Sequence, residues 1–118
     1  MKINVPISVG DFIDRYSILQ VKYVNGLNVG DELAEYEKAR EQFSERPFAH
    51  YSYMFMAINE RLWQLEDEKR CKDLVVGSHD YVEIAQLITH LNDLRYQIKK
   101  SADKHFGSEI QEKKSHEQ

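Results

Sequence analysis

The stretch INERLWQLEDEKR, residues 58–70, places Ile58, Leu62 and Leu65 at helical spacing, the mark of a helix face packed against other helices. Asn59 and Glu66 sit at the border of that face, about two turns apart, so they point roughly the same way. A carboxylate and an amide thus stand beside an apolar stripe. The same stripe runs back through Phe55 and Tyr51 to Pro47, where a missing N–H costs nothing in a first turn. One long helix is therefore expected from Pro47 to near Lys72.

Working outward, Asp80 with Glu83 reads as a capping box. Ile84, Leu87, Leu91, Leu94 and Ile98 then line a second long helix that Gly107 ends. On the N-terminal side, Ser8 reads as an N-cap with Asp11 three residues on. A helix is expected over Val9–Val24, with Phe12, Tyr16, Leu19 and Tyr23 as its stripe and Asn25-Gly26 ending it. A weaker, peripheral helix is expected over Asp31–Glu45, where Leu33, Tyr36, Arg40 and Phe43 share a face. In INVPIS, residues 3–8, apolar and polar residues alternate, but Pro6 cannot donate to a ladder. Residues 1–7 are thus an edge strand or an extended arm.

The fold expected from this pattern is all-α. An antiparallel hairpin of two long helices carries a packed N-terminal helix and a short extended N-terminal arm. One domain spans 1–118, with 108–118 as a polar tail in which Ile110 is the one large apolar residue. So thin a bundle leaves apolar stripes uncovered, and a homodimer is the expected assembly.

Composition excludes several classes. The 118 residues carry a formal net charge of −4, unlike the basic footprint of a nucleic-acid binder. Lys99, Lys100 and Lys104 lie near a helix end, where cations favour the dipole. No apolar run approaches a membrane span, and neither a nucleic-acid nor a membrane partner is expected. Cys71 is the single cysteine, which rules out an internal disulfide and fits a reducing, cytoplasmic setting. The histidines show no ligand spacing, so no metal or other cofactor is expected. Glu32-x-x-Glu35 has the acidic spacing of all-α nucleotide pyrophosphohydrolases, but the second acidic pair they need is missing, since Glu66 and Asp67 are adjacent. A chorismate-mutase-like site needs several inward cations, and only Arg95 can be placed inward.

Arg95 is the sharpest anomaly. On a helical wheel it falls between Ile88 and Leu91, with Asn92 and Lys99 at its border. A guanidinium there needs a partner, and the hairpin geometry makes Glu66 a candidate. Two readings follow. Either Glu66 and Arg95 form a buried ion pair that fixes helix register, or they converge with Asn59, Asn92 and Asp14 on a polar pocket, with Trp63 as a wall. On the first helix, Asp11, Asp14, Arg15 and Lys22 share a flank, and Arg15 can pair with Asp11 at i, i+4.

Four motifs resemble a group of short, uncharacterised bacterial domains. VPISVGDFIDRYSILQVK, residues 5–22, is similar to its opening VPIS-G-LID--TIL-IK segment. Asn59, Leu62, Trp63, Glu66 and Asp67 match a central N--LW-IED. Asn92, Asp93, Arg95, Ile98 and Lys99 match ND-R--IK, and Gly107, Ser108, Glu109, Glu112, Lys114 and Ser115 match GSE--E-KSY. His116 stands where that pattern has tyrosine, and the similarity is weak across residues 26–57. The group carries no assigned activity. What the resemblance implies is a set of positions that overlaps the polar set read from the helices, and a tail that docks near it.

The candidate site is therefore Asp14, Lys22, Asn59, Trp63, Glu66, Asn92, Arg95 and Lys99. The expected function is a binding or assembly module for a protein partner or a polar small molecule. The alternative is a small metabolic enzyme acting on a polar or anionic molecule in the same cluster.

Overall fold

In the computed structural model, which describes residues 1–71 and 74–111 apart from the side chain of Cys71, four α-helices follow one another. They are α1 (Val9–Val24), α2 (Gly30–Ala39), α3 (Glu45–Cys71) and α4 (His79–Phe106), with a 3-10 turn at Arg40–Gln42 between α2 and α3. The fold is all-α; among the described residues there is no strand. Residues 1–7 form an irregular arm, and Lys2 Nζ reaches Glu35 at 2.6 Å on α2. Among the described residues no helix is long and apolar enough to cross a membrane.

α3 and α4 run antiparallel as a hairpin. The Tyr51 hydroxyl lies 3.0 Å from Ser101 Oγ, Asn59 meets Arg95 in the middle, and Lys69 stands over the Tyr81 ring near the tip. α1 packs on both helices, while α2 touches α1 and buries no residue of its own. Its peripheral place follows from the largely charged surface that the sequence shows.

The core lies where α1, the first half of α3 and the second half of α4 meet. Ile13, Tyr16, Phe48, Tyr51, Phe55 and Ala102 form it, with Phe12, Tyr36, Phe43 and Phe106 packed at its edge. Arg40 closes one side, donating to the Tyr16 hydroxyl at 3.0 Å and lying 4.7 Å from the Phe48 ring centre. Burial pushes the Tyr16 phenol up from its ordinary pKa.

Several sequence expectations are corrected in detail. The α4 cap is Ser78, whose Oγ accepts from the Tyr81 N–H at 3.3 Å, and not Asp80. The weak helix ends at Ala39, where the 3-10 turn begins, rather than continuing to Glu45. The Ile84–Ile98 stripe of α4 is not fully buried: Leu87 is exposed, and the buried α4 residues are Lys99, Ala102 and Asp103. α1 ends level with the middle of the hairpin and leaves the outer half of α4 without a third helix. Tyr23, assigned to the α1 stripe, is exposed.

Candidate functional site

The first turn of α1 is fixed by three side chains. Ser8 Oγ accepts from the Asp11 N–H at 3.0 Å, the N-cap read from the sequence. Ser108 Oγ accepts from the Val9 N–H at 3.1 Å, and Asp103 Oδ1 from the Gly10 N–H at 2.6 Å. These are first-turn donors with no partner inside the helix, and the Asp103 carboxylate also favours the positive end of the dipole. Gly10 permits the approach: a Cβ there would lie 2.3 Å from the Lys99 carbonyl oxygen. α1 therefore crosses α4 nearly backbone to backbone, which brings Asp11 and Asp14 over Lys99 and Arg95.

Asp14 is the centre of the resulting cluster and is 2% exposed. Its carboxylate accepts from Asn59 Nδ2 at 2.9 Å and lies 3.2 Å from Lys99 Nζ and 3.7 Å from Arg95 Nε. Asn59 Nδ2 also donates to Ser17 Oγ at 2.7 Å, and Ser17 donates to the Asp14 carbonyl. Asn59 Oδ1 accepts from Arg95 Nη1 at 3.2 Å. Asp11 extends the cluster outward, 3.5 Å from Lys99 Nζ and 2.8 Å from Arg15 Nε. The Asp11 charge is the largest influence on Arg15 and raises its pKa. Asp14 and Lys99, the buried charges of this cluster, thus each face an opposite charge, the condition for tolerating them inside a protein.

The Glu66–Arg95 pair expected across the hairpin does not form. Among the described residues Arg95 takes Asp14 and Asn59 as its partners, and Glu66 is exposed. The reason is register. Asn59 lies opposite Arg95, which puts Glu66, two turns further along α3, nearer the hairpin tip.

Beside the cluster, between α1, α3 and α4, lies a cleft of about 330 Å³. Ile18, Val21 and Leu62 give it apolar walls, Trp63 an aromatic one, and Asn59, Glu66, Arg70 and Arg95 its polar groups. Its size is at the lower end of the range for small-molecule sites. Arg95 joins cluster and cleft. Its Nε and Nη1 are held by Asp14 and Asn59, while Nη2 has no hydrogen-bond partner among the described residues. The side chain keeps 28% of its exposure.

Of the residues singled out from sequence, Asp14, Asn59, Arg95 and Lys99 come together in the cluster, and Asn59, Trp63, Glu66 and Arg95 line the cleft. Lys22, half-buried in the last turn of α1, and Asn92, exposed on α4, belong to neither set. Ser17, Asp103 and Arg70 were not read as site residues. Asp103 follows Lys99 by four residues and Ser17 follows Asp14 by three, spacings that place them on the same helix faces. The tail turns back at Gly107 (φ 63°). Ile110 then lines a hollow with Ile7, Ser8, Asp11 and Arg15. The tail residues from Glu112 onward lie outside the described residues.

Among the described residues no group of three or more His, Cys, Asp and Glu is placed to hold a metal ion. No family model matches the chain, and no curated protein or solved structure is significantly similar to it.

Proposed function

We propose that the domain is a binding module, and that the cleft between α1, α3 and α4 takes a small molecule carrying an anionic group and an apolar body. The observation that carries this reading is the setting of Arg95. Two buried groups hold its Nε and Nη1, while Nη2 has no hydrogen-bond partner among the described residues on a side chain that lines the cleft. A guanidinium fixed in this way loses little freedom on binding and offers strong, directional donors to a carboxylate or phosphate. Arg70 lines the same cleft as a second guanidinium, 4.0 Å from Asp67 and opposed in charge by Glu66 of the same lining. Trp63 with Ile18, Val21 and Leu62 supplies the apolar contact that most small-molecule sites use. The motifs shared with the uncharacterised bacterial domains support the choice of site, because Asn59, Trp63, Glu66 and Arg95 are among their positions. A reducing, cytoplasmic setting fits the single cysteine.

Trp63 is the one tryptophan in the chain, so its indole N–H gives a single, self-assigned NMR signal. Phenyl phosphate and benzoate are expected to shift that signal in a saturable way. Benzamide, with the same ring and no charge, is expected to bind at least tenfold more weakly. Arg95→Lys keeps the charge but loses the fork, and is expected to weaken phenyl phosphate while the helical circular dichroism is unchanged. Equal shifts from benzamide, or none from any of the three, would contradict the reading.

A further inference from the structure

A second hollow lies on the other side of α3, away from α4. It has a volume of about 550 Å³ and is lined by Gln20 of α1 together with Ala49, Tyr53, Met56, Ala57 and Glu60 of α3. Two features there are unusual. Tyr53 is 75% exposed, although it stands in the middle of a long helix whose other face forms the core. Gln20 Oε1 is buried and has no hydrogen-bond partner among the described residues, a state that is costly unless a donor arrives from elsewhere.

The outer face of α3 also has an internal symmetry. Arg46, Tyr53 and Glu60 are all exposed and recur at seven-residue spacing, so they share one face of the helix. Reversing the helix about Tyr53 exchanges Ala49 with Ala57 and Arg46 with Glu60. Small residues thus meet small residues, and each charge meets its opposite. Neither Arg46 nor Glu60 makes an ion pair or side-chain hydrogen bond within the described chain. A surface that is complementary to itself under reversal is what a two-fold contact between identical chains requires.

We propose that this face of α3 binds a second copy of the chain in antiparallel register about Tyr53. Arg46 of one copy meets the partner's Glu60, and the partner's Tyr53 enters the hollow and donates its hydroxyl hydrogen to Gln20 Oε1. The expected dimer thus forms through this mixed face. The apolar residues at the hairpin tip, Val75, Val76, Val82 and Leu87, are exposed as well, but they have no such self-complementarity. The proposal is independent of the ligand cleft, because no residue named for the contact lines it.

Sedimentation equilibrium over micromolar to hundreds of micromolar protein tests it with charge reversals at exposed positions. The wild type is expected to approach twice 14.0 kDa. Arg46→Glu and Glu60→Arg each set like charges against each other at both ends of the contact. Each is expected to raise the dimer dissociation constant on the order of tenfold. The double variant carrying both changes restores opposite charges and is expected to regain most of the affinity. Tyr53→Ser is expected to weaken the dimer without loss of helical signal. A mass near 14.0 kDa throughout, a dimer indifferent to the single reversals or to Tyr53→Ser, or a double variant weaker than both singles would overturn the proposal.

Discussion

Asp14 is the residue on which the interior of this protein is most exposed to failure. It is a nearly inaccessible carboxylate that faces Lys99, Arg95 and Asn59. Asp14→Ala removes the one group that neutralises both cations from within, and is expected to cost about 3–5 kcal/mol, as breaking buried pairs does. Arg95→Ala leaves Asp14 with Lys99 and Asn59 and is expected to cost less, about 1.5–3 kcal/mol, the range for a hydrogen bond to a charged group. Urea unfolding of the two variants checks the order. An Arg95→Ala variant less stable than Asp14→Ala would show that the centre of the cluster has been placed wrongly. The polar set was legible in the sequence because Asp14, Asn59, Arg95 and Lys99 border apolar stripes. The pairing was not. A shift of two turns in hairpin register changes the partner of Arg95 from Glu66 to Asn59, and the periodicity of each helix alone does not fix that shift. Asp103 stayed hidden for another reason: its partner is the Gly10 backbone N–H of α1, with |i−j| of 93.

At the level of helices, the order and the long spans were readable from caps and stripes, and α1 over Val9–Val24 agrees at both ends. The crossing of α1 on α4 was not readable, because it depends on the absence of a side chain at Gly10. Intrinsic propensity favours alanine over glycine in a helix by roughly 1 kcal/mol. Packing sets the opposite sign here, since the new Cβ would meet the Lys99 backbone at 2.3 Å. Gly10→Ala is expected to destabilise by about 1–3 kcal/mol, the usual cost of overpacking. A rise in Tm for this variant would mean that the two helices are further apart than described. Ser108→Ala removes the acceptor of the Val9 N–H and is expected to cost about 1 kcal/mol, as a lost cap does. No change in its denaturation midpoint would show that the tail does not hold the start of α1.

For the whole molecule, the architecture explains where recognition can occur. α1 covers only the inner half of the α3/α4 hairpin, and the cleft opens where that cover runs out. The network behind it holds Arg95 in place, so the proposed site needs no rearrangement of that guanidinium to take a ligand. Behaviour at high pH follows from the core at the opposite end. The Tyr16 phenol is raised by burial, so its neutral form is favoured in the folded state. Its contribution to stability is present below the ordinary tyrosine value of about 10 and is lost as pH rises through the higher folded value. Tyr16→Phe is therefore expected to reduce the loss of Tm between about pH 9 and 11; an unchanged slope would remove Tyr16 as its source. The central claim concerns the cleft, and a crystal structure of the protein soaked with phenyl phosphate tests it most directly. The expected result places the phosphoryl oxygens on Arg95 Nη2, with Asp14 and Asn59 still holding the rest of the guanidinium and the ring against Trp63. An empty cleft with the phosphate on surface lysines, or an Arg95 that swings away from Asp14 to meet it, would contradict the claim.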